Sequence, residues 1–297
     1  MTSTVVDEWI KTKDGNDIFT KTWKTSSAPV ATLVMIHGFG EHIARYDRMF
    51  SIFVSQGIEC YGYDQRGWGE TGKKSNQFGN NQGYDTALKD IDNAVLKSKR
   101  ENLPLFLMGH SMIYCNGGGL ILNYLARDDK LEGVKLVTGA ISSSPLVTLS
   151  MAIPAPKYYG LRFVSNFLPS FTIQTGVDAE GISHDQEEIK KYLQDPLVHD
   201  FATLATLGGF LDAGKDIIKS KAKLIKTPIL YSHGDIDPIN DYKGTLQAYG
   251  LTPSTDKEMK TWPGLFHELH NETMPQRQEV SEYYVNWIKN RLPAVKN

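Results

Sequence analysis

The chain alternates short apolar runs with segments of helical periodicity, and this alternation constrains its fold more than any other feature. Ala31–Ile36 (ATLVMI) and Leu105–Met108 (LFLM) are continuously apolar, which is typical of parallel strands that are buried on both faces. Ala44–Gln56 and Tyr84–Arg100 instead carry apolar residues at helical spacing. The pattern predicts an α/β fold with a mostly parallel central sheet and helices on both faces.

A helical block interrupts this alternation once. Residues 145–222 hold apolar helical stretches without strand–helix alternation, which resumes at Pro228–Ser232. We therefore predict one α/β domain, formed by residues 1–144 and 223–297, with an inserted, mainly helical cap at 145–222.

Composition excludes several classes of protein. The 32 basic and 34 acidic residues leave a net charge of −2, so the chain lacks the basic surface that nucleic-acid binding requires. Two cysteines, Cys60 and Cys115, are too few for a disulfide framework, and no Cys/His cluster predicts a zinc site. The N-terminus lacks the pattern of a secretory signal, and no run reaches the ~18 apolar residues of a membrane span. We therefore expect a cytoplasmic protein that is not secreted.

One glycine motif is set aside. GWGETG at residues 67–72 matches the GxGxxG pattern of dinucleotide-binding folds, which requires a helix directly after it. The Gly/Asn/Gln-rich stretch 66–83 predicts a polar loop there, so the motif does not predict a dinucleotide site.

A serine follows one of the predicted buried strands in a tight turn. Gly-His-Ser, ending at Ser111, places a hydroxyl where a strand gives way to a helix, as in the G-x-S-x-G nucleophile elbow. The turn matters because a serine hydroxyl is a weak nucleophile and must project toward a base. The position two residues later is Ile113 rather than glycine, and removing residues 113–116 would restore GHSMGGG. Because four residues make about one helical turn, we expect these four to lengthen the following helix.

The partners of such a serine also follow predicted strands. Asp235 and Asp237 both lie just after the strand at Pro228–Ser232, and either could be the acid. His267 follows the next strand, at residues 256–262, so serine, acid and histidine occur in the order that this kind of fold requires.

A glycine-rich turn follows the first buried strand and predicts the remaining part of a catalytic site. In the turn His37–Gly40, glycines allow backbone N–H groups to face a developing oxyanion. The amides of Phe39 and Met112 are the expected donors.

These motifs resemble those of monoacylglycerol lipases of the fungal and animal type, in the α/β-hydrolase superfamily. The resemblance covers about Trp9 to Leu292 and rests on HGFGEHIARY at 37–46, YDQRGWGET at 63–71, GHSM at 109–112, HGDIDPIND at 233–241 and WPGLFHELH at 262–270. It implies that Ser111 is the nucleophile, that Asp237 rather than Asp235 is the acid, and that His267 is the base. Phe39 and Met112 match the oxyanion-hole amides.

The resemblance also implies a substrate. Glu41, Arg45 and His270 match polar residues around the glycerol end of the substrate. Hydrogen bonds to hydroxyl groups penalise substrates that lack them, so the implied reaction is hydrolysis of monoacylglycerol to fatty acid and glycerol. The implied chemistry passes through an acyl-enzyme and needs no metal or organic cofactor.

The cap and the residues after Ser111 carry the remaining expectations. The resemblance implies peripheral contact, through the cap, with a lipid droplet or with a membrane such as the endoplasmic reticulum. We expect the apolar residues of the cap also to cover the acyl chain: Phe163, Val164, Phe167, Leu168 and Phe171.

Two alternative functions stay open. One is a lysophospholipase or general carboxylesterase that uses the same triad. The other is a lipid-binding protein whose catalysis is impaired by residues 113–116.

Overall fold

A computed structural model describes residues 4–111, 117–148 and 155–293 of the chain. The strands are β1 (Thr4–Lys11), β2 (Asp17–Lys24), β3 (Ala31–Ile36), β4 (Ile58–Tyr63), β5 (Leu105–His110), β6 (Val137–Ser143), β7 (Thr172–Gln174), β8 (Phe201–Thr203), β9 (Ile229–Gly234) and β10 (Lys257–Trp262). The α-helices are α1 (Asp47–Ser55), α2 (Gly69–Ser75), α3 (Tyr84–Ser98), α4 (Gly118–Leu125), α5 (Ala155–Ser165), α6 (Gln186–Gln194), α7 (Leu204–Asp216), α8 (Tyr242–Leu251) and α9 (Gln276–Lys289).

Within the described residues, eight strands form one twisted sheet. Their order is β1-β2-β4-β3-β5-β6-β9-β10, in which β1–β2 and β2–β4 are antiparallel and the other neighbouring pairs are parallel. The predicted α/β architecture with a mostly parallel sheet is confirmed. Because neighbouring parallel strands run in one direction, β3, β5, β6, β9 and β10 all end at the same edge of the sheet.

The continuously apolar strands lie between two hydrophobic layers. Successive side chains of a strand point to opposite faces, so Val34 and Leu107 pack into the layer that contains α3 and α4. Met35 and Met108 pack into the layer that contains α1 and α9. All four side chains are fully buried, which explains why these strands carry no polar alternation.

One local prediction is wrong. The stretch 66–83 was expected to be a loop, but α2 forms inside it. A side chain just upstream stabilises the start of this helix, because the Asp64 carboxylate accepts a hydrogen bond from the Glu70 amide at 2.7 Å. That carboxylate occupies the helix N-terminus, where a dinucleotide phosphate would otherwise bind.

The described residues between β6 and β9 add no strand to the central sheet. They contain α5, α6 and α7, and their short strands β7 and β8 pair with each other in antiparallel fashion. Helix α7 buries Leu207 and Phe210, whereas the side chains of Phe163 and Phe167 near α5 are 65% and 69% exposed. No helix in the described part of the chain has the length and apolar character that crossing a membrane requires.

Candidate active site

The structure brings together Ser111, Asp237 and His267 at the edge where the parallel strands end. Ser111 follows β5, Asp237 follows β9, and His267 follows β10. Ser111 lies 156 residues from His267 in the chain, and Asp237 lies 30 residues from it, yet the three side chains form one hydrogen-bonded series. Each of them is at least nine-tenths buried.

Ser111 lies in a strained turn directly after β5. Its φ angle is 63°, in the left-handed region that residues with a Cβ atom rarely adopt. The turn is held because the Ser111 amide donates a hydrogen bond to the Ser143 carbonyl at 2.8 Å. A β-carbon at Gly38 would stand 3.0 Å from the Ser111 Cβ atom. The absence of a side chain at Gly38 therefore lets the turn His37–Gly40, which we call the oxyanion turn, approach the serine.

Gly117 takes the place of the second glycine of the elbow, after the four extra residues. A Cβ atom at Gly117 would lie 1.8 Å from the His110 carbonyl oxygen, and its φ angle is +75°. The next amide, of Gly118, donates to the Ser111 carbonyl at 3.1 Å. The described helix α4 begins only at Gly118. Residues 113–116, which we expected to lengthen this helix, and Met112, the predicted oxyanion donor, lie outside the described residues.

The Ser111 hydroxyl is hydrogen-bonded to Nε2 of His267, and Nδ1 of His267 lies 2.7 Å from Oδ2 of Asp237. Burial lowers the pKa of His267, but the charge and hydrogen bond of Asp237 outweigh it and the net direction is upward. Burial raises the pKa of Asp237, but the neighbouring imidazoles outweigh it and bring the carboxyl far below its usual range. Asp235 is exposed and accepts a hydrogen bond from Gly264 instead. The geometry thus brings Asp237, and not Asp235, to the histidine.

The oxyanion turn is fixed from two sides. His37 contacts the Gly38 carbonyl through Nδ1 at 2.7 Å and accepts a hydrogen bond from the Gln65 amide on Nε2 at 2.9 Å. From the other side, Oε1 of Glu41 accepts the Gly38 amide at 2.5 Å. The ring of Phe39 is buried and packs edge-on against Trp68, with 5.5 Å between centroids. This rigidity suits a site whose amides must be oriented before the reaction.

Glu41 and Arg45, predicted to face the glycerol end of a substrate, belong to a buried charge cluster. Arg45 donates to Oε2 of Glu41 at 2.8 Å and binds both oxygens of Glu268, at 2.6 and 2.7 Å. Burial raises the pKa of Glu41. Burial also raises the pKa of Glu268, but the charge and hydrogen bonds of Arg45 outweigh burial and lower that pKa to about 2. The cluster therefore holds an ionised Glu268 against Arg45.

His270, the third predicted glycerol contact, is buried with two unused polar atoms. Its ring stacks on Tyr46, with centroids 4.7 Å apart, and both ring nitrogens lack a hydrogen-bond partner among the described residues. Burial lowers its pKa to about 3, so the imidazole is neutral and has one donor and one acceptor. Buried polar groups are usually paired, so both nitrogens of His270 are unusual among the described residues.

Sequence reasoning missed Tyr46, His233 and Glu268. Tyr46 donates to Glu41 at 2.7 Å, and His233 contacts Asp237 at 2.9 Å. Glu268 stands beside His267 in the sequence, but its partner Arg45 is 223 residues away, and no local pattern indicates such a pair. The described ranges contain no group of three or more side chains arranged to hold a metal ion.

Comparison with known proteins gives consistent results. The chain is 34% identical over 299 residues to an uncharacterized abhydrolase domain-containing protein of Dictyostelium discoideum, covering all of this chain but only 30% of that protein. It is 30% identical over 279 residues to a putative monoglyceride lipase of Schizosaccharomyces pombe, covering 92% of this chain and 71% of the relative. A solved structure of a soluble variant of monoglyceride lipase from Saccharomyces cerevisiae, in complex with a substrate analog, superposes with a TM-score of 0.83. That structure is 26% identical, and the match covers 99% of this chain and 97% of the other.

A family model completes the assignment. The model described as "Serine aminopeptidase, S33" matches residues 27–274, which span the oxyanion turn, the serine elbow and the histidine loop. Since this match covers far more than half of the chain and agrees with the sheet topology, the chain belongs to that family and has the α/β-hydrolase fold.

Proposed function

We propose that this protein is a serine ester hydrolase that cleaves monoacylglycerol to a fatty acid and glycerol. The observation that carries the proposal is the hydrogen-bonded series Ser111–His267–Asp237 beside the oxyanion turn. The monoglyceride lipases among the relatives support the substrate class.

In the proposed reaction, Ser111 Oγ forms a bond to the ester carbonyl carbon while its proton moves to Nε2 of His267. The carbonyl oxygen becomes an oxyanion, to which the amides of Phe39 and Met112 would donate. The bond to the glycerol oxygen then breaks, and that oxygen takes the proton from His267. A water molecule, deprotonated by His267, then attacks the acyl carbon. The bond between that carbon and Ser111 Oγ breaks, Oγ takes the proton back from His267, and the fatty acid is released. Asp237 stabilises the imidazolium that forms in both steps.

The residues predicted to face the glycerol end of the substrate favour a neutral leaving group that carries hydroxyls. Neutral His270 offers one donor and one acceptor, which suits a glycerol hydroxyl. Arg45 is already paired with Glu41 and Glu268, so the phosphate of a lysophospholipid would have to compete with two carboxylates for this cation. We propose that Glu41 and Arg45 contribute by holding the oxyanion turn and the wall of the glycerol site.

A substrate panel tests the proposal. We expect kcat/KM to be higher for a long-chain monoacylglycerol than for the diacylglycerol, for a lysophospholipid or for a short ester that lacks glycerol. A fluorophosphonate probe should label the wild-type protein on Ser111 and should not label the Ser111→Ala variant. A folded wild-type protein that takes no label would refute the nucleophile, and faster turnover of the short ester would refute the glycerol site.

We also propose that residues 145–222 form the cap and that the cap contacts a lipid surface, such as a membrane or lipid droplet. Five large apolar side chains near α5 are exposed, at 42% to 69% of their surface: Phe163, Val164, Phe167, Leu168 and Phe171. Exposed apolar area of this kind is typical of interaction surfaces. With a net charge of only −2, contact would depend on these side chains rather than on charge.

A double variant tests the lipid contact. Phe163→Ser with Phe167→Ser should reduce binding to neutral vesicles and turnover of vesicle-borne monoacylglycerol, while turnover of a short water-soluble ester stays unchanged. Loss of both activities together, or loss of neither, would contradict this role of the cap.

A further inference from the structure

His233 is a second histidine in contact with the acid of the proposed triad. It is fully buried at the end of β9, and its Nε2 lies 2.9 Å from Oδ2 of Asp237. The same oxygen lies 2.7 Å from Nδ1 of His267. One carboxylate oxygen therefore serves two imidazole rings, whereas Oδ1 accepts the backbone amides of Ile239 and Asn240 at 2.8 and 3.0 Å.

The Asp237 carboxylate settles the role of one nitrogen of His233. A carboxylate can only accept, so Nε2 of His233 carries a proton and donates it to Asp237. On the other side of the ring, Nδ1 lies 2.7 Å from the hydroxyl of Thr245, which is fully buried on α8. A hydroxyl can donate or accept, so Thr245 holds the ring whichever role Nδ1 takes.

From this geometry we propose that His233 is a positioning residue: its hydrogen bond orients the Asp237 carboxylate and limits how strongly that carboxylate binds His267. The inference rests on the proposed function, in which His267 is the base. His233 touches neither Ser111 nor a reacting atom in this arrangement, so it acts only through Asp237.

Removing this donor should have two separable effects. The carboxylate would lose one of the contacts that hold its orientation, and a misplacement of about 1 Å in such a series costs about 10²-fold in rate. Oδ2 would also carry more negative charge toward His267, which raises the pKa of that imidazole. The other groups that face or act on His267 are unchanged between the wild type and a variant without this donor. They are Ser111, His110, Glu41 and Glu268.

Two substitutions at one position separate donation from packing. His233→Phe keeps a ring but cannot donate, whereas His233→Gln can place an amide N–H near the position of Nε2. With a short soluble ester, we expect H233F to lower kcat about 10- to 100-fold with little change in KM. The acid limb of its kcat/KM profile should move to higher pH by about 0.5 or more. H233Q should recover most of both effects.

A third variant keeps the test decisive if H233F fails to fold. Thr245→Val removes the hydroxyl that faces Nδ1 without touching Asp237, so the His233 ring loses its second hydrogen bond and its Nε2–H is held less firmly against the carboxylate. We expect the acid limb of T245V to move in the same direction as that of H233F, by a smaller amount.

The outcomes distinguish this inference from the proposed function. Fluorophosphonate labelling of the wild-type protein tests the nucleophile, and its absence would refute the function whatever the variants do. With an active, labelled wild type, an unshifted acid limb in H233F and T245V would overturn the role of His233. A folded H233Q that is as impaired as H233F would overturn it as well.

Discussion

Gly117→Ala tests whether this glycine, four residues later than the usual position, completes the nucleophile elbow. The new Cβ atom would stand 1.8 Å from the His110 carbonyl oxygen, whereas ordinary contact begins at 3.4 Å. The chain must therefore move by about 1.6 Å at the turn that carries Ser111. Alanine would also be strained by the backbone there, where φ is 75° and ψ is −112°.

The size of both effects follows from that geometry. Backbone strain of this kind costs about 1–3 kcal/mol, so we expect a comparable fall in the free energy of unfolding. A shift of more than 1 Å between nucleophile and base costs about 10²-fold in kcat/KM, or about 2.7 kcal/mol of transition-state stabilisation. The helix α4 begins after this residue, so the overall fold should survive.

Ester hydrolysis and thermal unfolding, measured on the same preparation, check this expectation. Gly250→Ala is the matched control, since a Cβ atom at Gly250 meets nothing within 4 Å. The control should keep wild-type activity and be at least as stable as the wild type, since alanine favours the helix α8 in which Gly250 lies. If G117A instead matched the wild type in both kcat/KM and unfolding temperature, the second glycine of the elbow would have to be sought elsewhere.

Three further outcomes are expected. Asp237→Asn removes the charge that raises the pKa of His267, so the acid limb of kcat/KM should move to lower pH while activity falls by about 10⁴-fold; a limb that stays in place would contradict this coupling. Glu268→Gln should lower the free energy of unfolding by about 3 kcal/mol at neutral pH, because the pKa of Glu268 falls from 4.5 to about 2 in the folded state. That stability is present above pH 4.5 and lost as the pH falls toward 2, so denaturant titrations should show the two proteins converging in acid. Deleting residues 113–116 restores GHSMGGG and should preserve or raise ester hydrolysis; a loss would show that the four residues contribute to the site.

Local pattern was sufficient to predict the frame of this molecule. Strand β3 has the predicted bounds Ala31–Ile36, because a run in which five of six residues are apolar is most stable between two packed faces. The stretch that became α2 shows the limit of such reasoning. Its glycines favour a loop, whereas in the structure the Glu70 amide donates to the Asp64 carboxylate at the start of a helix, a side-chain contact that hydrophobic periodicity does not report.

The order of the candidate catalytic residues along the chain could also be predicted from the sequence. Ser111, the acid and His267 each follow a strand, and strands in a parallel sheet deliver their carboxyl ends to one edge. The residues alone left Asp235 and Asp237 open, since both follow β9. The choice depends on which carboxylate turns inward. Asp235 accepts the Gly264 amide at an exposed position, whereas Asp237 lies buried against the imidazole.

The sequence by itself thus determined the alternating α/β frame and the edge at which the polar residues meet, because both follow from periodicity and strand direction. Only the tertiary structure decided the contacts between residues far apart in the chain. It pairs Arg45 with Glu268, lets Gly117 close the elbow against the His110 carbonyl, and sets His233 beside Asp237. Those contacts arise from side-chain packing and the pairing of buried polar groups, which act across the fold and leave no spacing in the sequence to read.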